Sequence, residues 1–112
     1  ELAAARAALE AAGIQAQLPG STDMLPADKR ELAGWVVREG VTNLIRHAHA
    51  SRCRIELTAR TVAICDDGVG PTVDETAAGS GLVGIRERVE SAGGRLTIGR
   101  SDLGGFLLKA TL

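Results

Sequence analysis

One helical segment carries polar residues at a spacing that suits metal chemistry. In the stretch REGVTNLIRHAHA, Glu39, Asn43 and His47 recur every four residues and therefore share one side of a helix. The amide oxygen of Asn43 is a hard, neutral ligand that suits a Mg²⁺ ion already bound to phosphate oxygens. The Glu39 carboxylate, one turn earlier, can orient a water in the shell of that ion or accept a proton. The alternative is a polar seam between helix and loop, in which half-buried side chains satisfy one another.

A second candidate site follows a hydrophobic, strand-like segment. The sequence CDDGVG places Asp66 at the end of that segment, with Gly68 and Gly70 shortly after it. The Asp66 carboxylate can accept a hydrogen bond from an exocyclic amino group such as that of adenine. Glycines lack a Cβ atom, so a flat base can approach the backbone closely at Gly68 and Gly70. The alternative is that DDG forms an ordinary hairpin turn.

The third candidate is the pattern GSGLVG, which places Gly79, Gly81 and Gly84 at G-x-G-x-x-G spacing. A dinucleotide-binding fingerprint of this form follows a buried strand, whereas the preceding segment, PTVDETAA, is polar and begins with a proline. The residues that follow have helical spacing, so free backbone N–H groups at the helix start would attract an anion. The alternative is a mobile glycine-rich loop with a helix cap.

The composition indicates one small domain and excludes several classes of protein. The chain has 112 residues, 45% apolar but only 2% aromatic, so its core must be aliphatic. The net charge of −1 does not indicate a nucleic-acid or membrane surface, and no apolar run approaches the ~20 residues of a spanning helix. Cys53 and Cys65 are predicted to be buried free thiols rather than metal ligands. The chain opens on Glu1 without a Met, which predicts a piece of a longer protein.

Hydrophobic spacing predicts the elements that must position these residues. Helices are predicted over 1–12, from about Asp28 to Ala50, and over 82–92. Strands are predicted in five segments: IQAQL, RCRIELTAR, TVAIC, RLTIG and FLLKATL. The last four form two adjacent hairpins, which imply antiparallel pairing.

The fold class follows from this order of elements. We predict an α+β two-layer sandwich with a mixed, mostly antiparallel sheet of about five strands and three helices on one face. Gly34 and Gly40, inside the long helix, are expected to mark close approach of another backbone or a ligand. The residues of that helix predicted to face the core are Leu32, Trp35, Val36, Leu44, Ile45 and Ala48.

Taken in order, the three candidate sites resemble one known family. A helix with E-x-x-x-N-x-x-x-H, a strand ending in D-x-G-x-G and a helix opened by G-x-G-x-x-G closely resemble the ATP-binding catalytic domain of sensor histidine kinases. That domain belongs to the superfamily shared with gyrase, heat-shock chaperone and mismatch-repair ATPases, and the resemblance implies its Bergerat-type fold. It covers residues 14–112 and is strongest to the short-lid subfamily whose partner regulators carry helix-turn-helix domains.

The resemblance implies a role for the polar residues of the long helix. Asn43 would coordinate Mg²⁺ that bridges the triphosphate of ATP, and Glu39 would act through the water shell of the ion. His47 would occupy the second polar position of the same motif, and Arg46 would contact phosphate.

The resemblance also implies roles for the glycine motifs. Asp66 would bind the adenine amino group, with Gly68 and Gly70 shaping the base pocket, and residues 71–81 would form the ATP lid. The residues that would anchor the lid and meet the nucleotide are Gly79, Gly81, Leu82 and Gly84. Two features depart from the family: the Phe-containing lid box is absent, and Phe106 stands where the family often has a threonine near the adenine-binding aspartate.

The function implied is that of a kinase catalytic module with ATP and Mg²⁺ as cofactors. The γ-phosphoryl group would pass to a histidine on a separate dimerisation domain of the same protein, and then to an aspartate of a response regulator. Neither His47 nor His49 fits as the phosphoacceptor, so the phosphoacceptor and sensor domains would lie outside this chain. No nucleic-acid partner and no direct membrane contact are expected, and the domain would be cytoplasmic even in a membrane-anchored protein.

Three other functions are compatible with these motifs. One is a nucleotide-sensing module that binds ATP without transferring its phosphoryl group. Another is a serine kinase of the same fold that sequesters a sigma factor. The third is a gyrase-type ATPase clamp, which would need further domains.

Overall fold

The computed structural model describes residues 2–19, 23–47, 49–69 and 81–112, without the side chain of His47. These residues form three α-helices, namely α1 (Leu2–Ala11), α2 (Arg30–His47) and α3 (Gly81–Ser91). A 3₁₀ turn, Ala27–Lys29, leads into α2. The five strands are β1 (Gln15–Gln17), β2 (Arg52–Leu57), β3 (Thr61–Asp66), β4 (Arg95–Arg100) and β5 (Phe106–Thr111).

The strands form one sheet in the order β1-β2-β3-β5-β4. β1 runs parallel to β2, and the other three pairs are antiparallel. Both predicted hairpins, β2–β3 and β4–β5, are therefore confirmed, as is the mixed, mostly antiparallel α+β fold. Gly13 and Gly93 end α1 and α3 in the left-handed backbone region, with φ of 76° and 86°, which glycine adopts at little cost.

The core lies between one face of the sheet and the helices. Strand residues alternate as predicted: Cys53, Ile55 and Leu57 of β2 are buried, while Arg52 and Glu56 are exposed. α2 packs against α1, α3 and β3, and α3 packs against β4. The helices therefore cover one face, and the opposite face carries polar side chains such as Arg54, Glu56 and Lys109 beside a few apolar ones such as Cys65.

The core-facing side of α2 differs in part from the prediction. Val36 and Leu44 are buried, but Ile45 is 37% exposed, so its predicted place in the core was wrong. Ile45 follows Leu44 by about 100° around the helix axis, which turns it out of the buried stripe. Ala48 lies outside the described residues. The stripe is completed by smaller residues that the prediction omitted: Ala33, Val37 and Val41.

Candidate functional site

The end of β3 lies beside the C-terminal end of α2. One carboxylate oxygen of Asp67, the residue after β3, accepts hydrogen bonds from the amides of Ser51 and Arg52, both at 2.8 Å. β2 begins at this point, and only four residues separate it from α2. α2 therefore ends at the same end of the sheet as Asp66.

The N-terminus of α3 is directed towards that same end. The Arg88 guanidinium carbon lies 4.7 Å from the ring centroid of Trp35, so the second half of α3 meets the first half of α2. α3 also leads into the start of β4, where Arg95 pairs with Thr111, and Thr111 pairs with Thr61 at the start of β3. The two helices are thus antiparallel, and α3 begins at the sheet end where β3 and α2 finish.

Gly40 marks where α2 presses on the sheet. A Cβ atom at this position would overlap Cδ1 of Ile64 and lie 3.5 Å from Cδ2 of Leu108. The predicted close approach is therefore present, but it is made by a strand side chain rather than by a backbone or ligand. It places the turn of α2 that precedes Asn43 over β3, two residues before Asp66.

Asp66 is a buried carboxylate with one of its oxygens already held. The residue is 2% exposed and lies on the helix-facing side of β3, like Val62 and Ile64. Its Oδ1 accepts hydrogen bonds from the amides of Gly68, at 2.8 Å, and Phe106, at 3.1 Å. Among the described residues no donor reaches Oδ2, so none of them competes with a ligand N–H group for this acceptor.

Burial dominates the electrostatics of Asp66. Desolvation raises the pKa of its carboxyl group above the ordinary value, and the amides of Phe106 and Gly68 partly oppose this rise. A ligand that donates to Oδ2 would favour the ionised form further. The site therefore suits an N–H donor, whose hydrogen bond recovers solvation that the carboxylate has lost.

The polar residues of α2 are only loosely engaged by the described part of the chain. Asn43 is half-buried, and its amide makes no hydrogen bond to another described side chain or backbone group. Glu39 pairs at 3.6 Å with Arg38, an exposed pair of the kind that contributes little stability. Arg46 is exposed, and His47 is the last residue of α2. Within the described ranges, no buried contact holds the side chain of Glu39 or Asn43, as the predicted role at an ion or its water shell would require.

The glycine motifs are described in part. Gly68 donates its amide to Asp66, and Gly81 is the first residue of α3. Gly70, Gly79 and the predicted lid before Gly81 lie outside the described residues. Leu82 is buried in the hydrophobic core. Gly84 is exposed, and apart from its chain neighbours and the adjacent backbone of α3, no described atom lies within 4 Å of the point that a Cβ atom would occupy there.

Two site residues were missed by sequence reasoning, which took RSDLGG only as a turn. A Cβ atom at Gly105 would overlap Asp66 Oδ1 and lie 2.6 Å from the Asp66 carbonyl oxygen, so glycine is required there. Ser101, also buried, donates its hydroxyl to that carbonyl oxygen at 2.5 Å. The signal that could have found them is the glycine pair immediately before the last strand, next to the strand that carries Asp66.

The cysteines are buried free thiols, as predicted. Burial raises the pKa of Cys53 to about 12 and also raises that of Cys65. Within the described ranges, no group of three or more His, Cys, Asp or Glu side chains is arranged to hold a metal ion. None of the helices described here is both long enough and apolar enough to cross a membrane.

Comparison with known proteins relates the chain to one class of enzyme. No protein-family model matches the chain. It is 35% identical over 96 residues to the signal transduction histidine-protein kinase/phosphatase UhpB of Salmonella typhimurium, covering 80% of this chain and 19% of that protein. It is 32% identical over 110 residues to the sensor histidine kinase YvfT of Bacillus subtilis, covering 93% and 29%. The chain thus spans less than a third of the length of these relatives.

Solved structures agree with this relationship at the level of the fold. The ATP binding domain of PrrB from Mycobacterium tuberculosis superposes with a TM-score of 0.67 at 22% identity, covering 96% of this chain and 88% of that one. A blue-light activated histidine kinase of Erythrobacter litoralis gives 0.70 at 21% identity, covering 96% and 38%. In sequence, therefore, the chain belongs with the sensor histidine kinases, and its fold is that of their ATP-binding domain.

Proposed function

We propose that this chain binds ATP with Mg²⁺ and acts as the catalytic domain of a two-component sensor histidine kinase. The observation that carries the proposal is the Asp66 carboxylate, buried with Oδ1 held by two backbone amides. It lies at the sheet end where α2 finishes and α3 begins. The sequence relationship to sensor histidine kinases supports the same function.

The adenine base is expected to contact the end of β3. Oδ2 of Asp66 would accept a hydrogen bond from the exocyclic amino group, while Gly68 and Gly70 leave room for the flat ring. Guanine presents a carbonyl oxygen at the same position of the ring, which the carboxylate would repel. The site should therefore prefer ATP to GTP.

The donor set on α2 fits a hard cation. Asn43 and Glu39 offer oxygen ligands one helical turn apart, and neither is committed to a buried partner among the described residues. We assign Asn43 as the protein ligand of Mg²⁺ and Glu39 as a residue that orients water around the ion. When bound, the ion would neutralise charge on the triphosphate.

The phosphates are expected near the start of α3. The first backbone N–H groups of a helix have no partner within that helix, so the start of α3 at Gly81 and the helix dipole favour an anion there. Gly79, Gly84 and Leu82 would border the same region, Arg46 and His47 would approach from the end of α2, and residues 71–81 would form a lid that excludes water.

The role of the chain in phosphoryl transfer is positioning and charge stabilisation. The nucleophile would be a histidine on a separate dimerisation and phosphoacceptor domain of the same protein, and a response regulator would then receive the phosphoryl group. Because ATP is available in the cytoplasm, the proposal places this domain there.

Two measurements on the purified chain test the proposal. Calorimetric titration with ATP should show binding that is stronger with Mg²⁺ than with a chelator, and stronger than binding of GTP. The chain, mixed with or fused to a phosphoacceptor helix pair of a histidine kinase, should then yield phosphohistidine detectable by ³¹P NMR. Absence of ATP binding would refute the proposal, whereas binding without transfer to any such helix pair would support a nucleotide-sensing module instead.

A further inference from the structure

The turn between β4 and β5 is built around one buried hydroxyl group. Ser101 Oγ donates to the Asp66 carbonyl oxygen at 2.5 Å, and it accepts from the amides of Leu103, at 3.0 Å, and Gly105, at 3.4 Å. A serine hydroxyl has one donor and two acceptor positions. All of them are in use, so this side chain joins the turn to the end of β3.

The backbone of the same turn contacts Asp66 twice more. The Gly105 amide donates to the Asp66 carbonyl oxygen at 3.1 Å, and the next amide, that of Phe106, donates to Asp66 Oδ1. The turn is closed by the Ser101 amide on the Gly105 carbonyl oxygen, at 2.9 Å. Gly104 has φ of 100°, and Gly105 has no room for a Cβ atom, so both glycines allow the turn to wrap closely around Asp66.

These contacts determine the direction of the Asp66 carboxylate. The terminal torsion of an aspartate side chain is broad, so the group rotates unless its oxygens are held. Two amides hold Oδ1: that of Gly68, two residues later in the chain, and that of Phe106, on β5. With Oδ1 held, the direction of Oδ2 is fixed as well. Only the Phe106 amide depends on how the turn is seated.

We infer that Ser101 is a positioning residue for base recognition: its hydroxyl seats the β4–β5 turn on β3, and the seated turn fixes the Asp66 carboxylate through the Phe106 amide. The inference rests on the proposed nucleotide-binding function. It adds a residue that touches no ligand but sets the preference for a base with an exocyclic amino group.

The test compares Ser101→Ala with Ser101→Thr, which keeps the hydroxyl. Calorimetry measures their affinities for ATP and for inosine triphosphate, which lacks the amino group. Ser101→Ala should weaken ATP binding about tenfold, because a misdirected carboxylate loses its hydrogen bond to the base. Binding of inosine triphosphate should change much less, and Ser101→Thr should retain the preference for ATP.

Thr58 offers a matched control at the opposite end of β3. Its hydroxyl accepts from the amides of Arg60 and Thr61, at 3.2 and 3.0 Å, and so organises the β2–β3 turn as Ser101 organises the β4–β5 turn. Thr58→Ala should lower thermal stability without changing the ratio of the two affinities. An equal change of that ratio in Thr58→Ala and Ser101→Ala would overturn the inference.

A readout without nucleotide separates this inference from the proposed function. In a carboxyl ¹³C NMR titration, Ser101→Ala should raise the pKa of Asp66. The Phe106 amide, which favours the ionised carboxylate, would no longer be held against Oδ1. An unchanged Asp66 pKa in folded Ser101→Ala, or an equal loss of affinity for both nucleotides, would overturn it. If Ser101→Ala does not fold, Ser101→Cys has a similar size with a weaker donor and carries the same readouts. If wild type binds neither nucleotide, the proposed function fails, and the Asp66 pKa still decides whether Ser101 positions the carboxylate.

Discussion

Two adjacent acidic residues at the end of β3 are perturbed in opposite directions. Asp66 faces the helices, and burial raises its pKa. Asp67 faces the start of β2, where hydrogen bonds from the Arg52 and Ser51 amides lower its pKa despite some desolvation. Ionised Asp66 therefore lowers the stability of the fold, as is common for a binding residue, whereas ionised Asp67 stabilises the fold.

Replacing Asp66 with asparagine should separate binding from stability. The amide oxygen of Asp66→Asn can still accept from Gly68 and Phe106, but the amide nitrogen presents donors where adenine needs an acceptor. ATP affinity should fall at least about tenfold, with a much smaller change for GTP, both measured by calorimetry. An equal loss for the two nucleotides would contradict the assignment of Asp66 to the base.

The same variant should fold at least as stably as wild type at neutral pH. A carboxyl group with a higher pKa in the folded than in the unfolded state destabilises the fold once it ionises. Its favourable contribution to stability is therefore present below the unfolded pKa and is lost as the pH rises through the folded pKa. Asp66→Asn removes this penalty. Urea unfolding at pH 7 checks it, and a large loss of stability would show that ionised Asp66 has a structural role.

Asp67→Asn should have the opposite dependence on pH. The folded pKa of Asp67 is lowered, so its contribution to stability is present above the unfolded value, near 4, and is lost as pH falls through the folded pKa. We expect the variant to lose about 1 kcal/mol at pH 7, since a neutral amide replaces a charged acceptor and the 3.3 Å pair with Arg52. The difference from wild type, measured by urea unfolding, should shrink below pH 4. A difference that is constant with pH would exclude the charge as its cause.

At the scale of elements, the crossing of α2 over β3 can be tested at a pair of atoms. The Cβ atom that Gly40→Ala adds would overlap Ile64 Cδ1, and Ile64→Val removes that Cδ1 atom. Each single substitution should destabilise, Ile64→Val by about 1 kcal/mol through lost packing and Gly40→Ala by overpacking. The double variant should be more stable, by roughly 0.5–2 kcal/mol, than the sum of the two single changes in unfolding free energy predicts. A double-mutant cycle by chemical denaturation measures this difference. Additive effects would mean that α2 and β3 do not meet at this point.

Gly84 in α3 provides the contrasting helical glycine. Beyond the adjacent backbone of α3, no described atom lies within 4 Å of a Cβ position there, so Gly84→Ala should stabilise the domain by up to about 1 kcal/mol through helix propensity. If phosphates approach this turn, as proposed, the same methyl group should weaken ATP binding. Greater stability with unchanged ATP affinity would remove Gly84 from the site.

The elements were predictable from sequence because each is encoded locally. Alternation placed Cys53, Ile55 and Leu57 on one face of β2, and the glycines at 93–94 marked the end of α3. Ile45 was misplaced because a single position on a helix differs from its neighbour only by rotation. Ser101 and Gly105 were missed because their roles depend on the pairing of β3 with β5, which no local pattern specifies. The roles of Asn43, Glu39 and the lid glycines stay predictions.

At the scale of the whole molecule, the candidate site exists only when the fold is complete. Its parts come from the last turns of α2, the end of β3, the β4–β5 turn and the start of α3, which are distant in sequence and meet at one end of the sheet. Nucleotide binding should therefore be coupled to global stability, since the unfolded chain has no such site.

Asn43→Ala tests that coupling together with the assignment of the metal ligand. ATP at about 100 times its dissociation constant should stabilise the folded wild-type chain by about 2.7 kcal/mol, which corresponds to a rise of roughly 10 °C in Tm for a domain of this size. Part of that rise should depend on Mg²⁺, and Asn43→Ala should abolish the Mg²⁺-dependent part because the ion loses its protein ligand. Thr42→Ala is the matched control, since Thr42 is the exposed neighbour on α2 and, among the described residues, its hydroxyl donates only to the Arg38 carbonyl oxygen, at 2.9 Å. A Mg²⁺-dependent shift of Tm that persists in Asn43→Ala at the wild-type magnitude would assign the ion to other ligands.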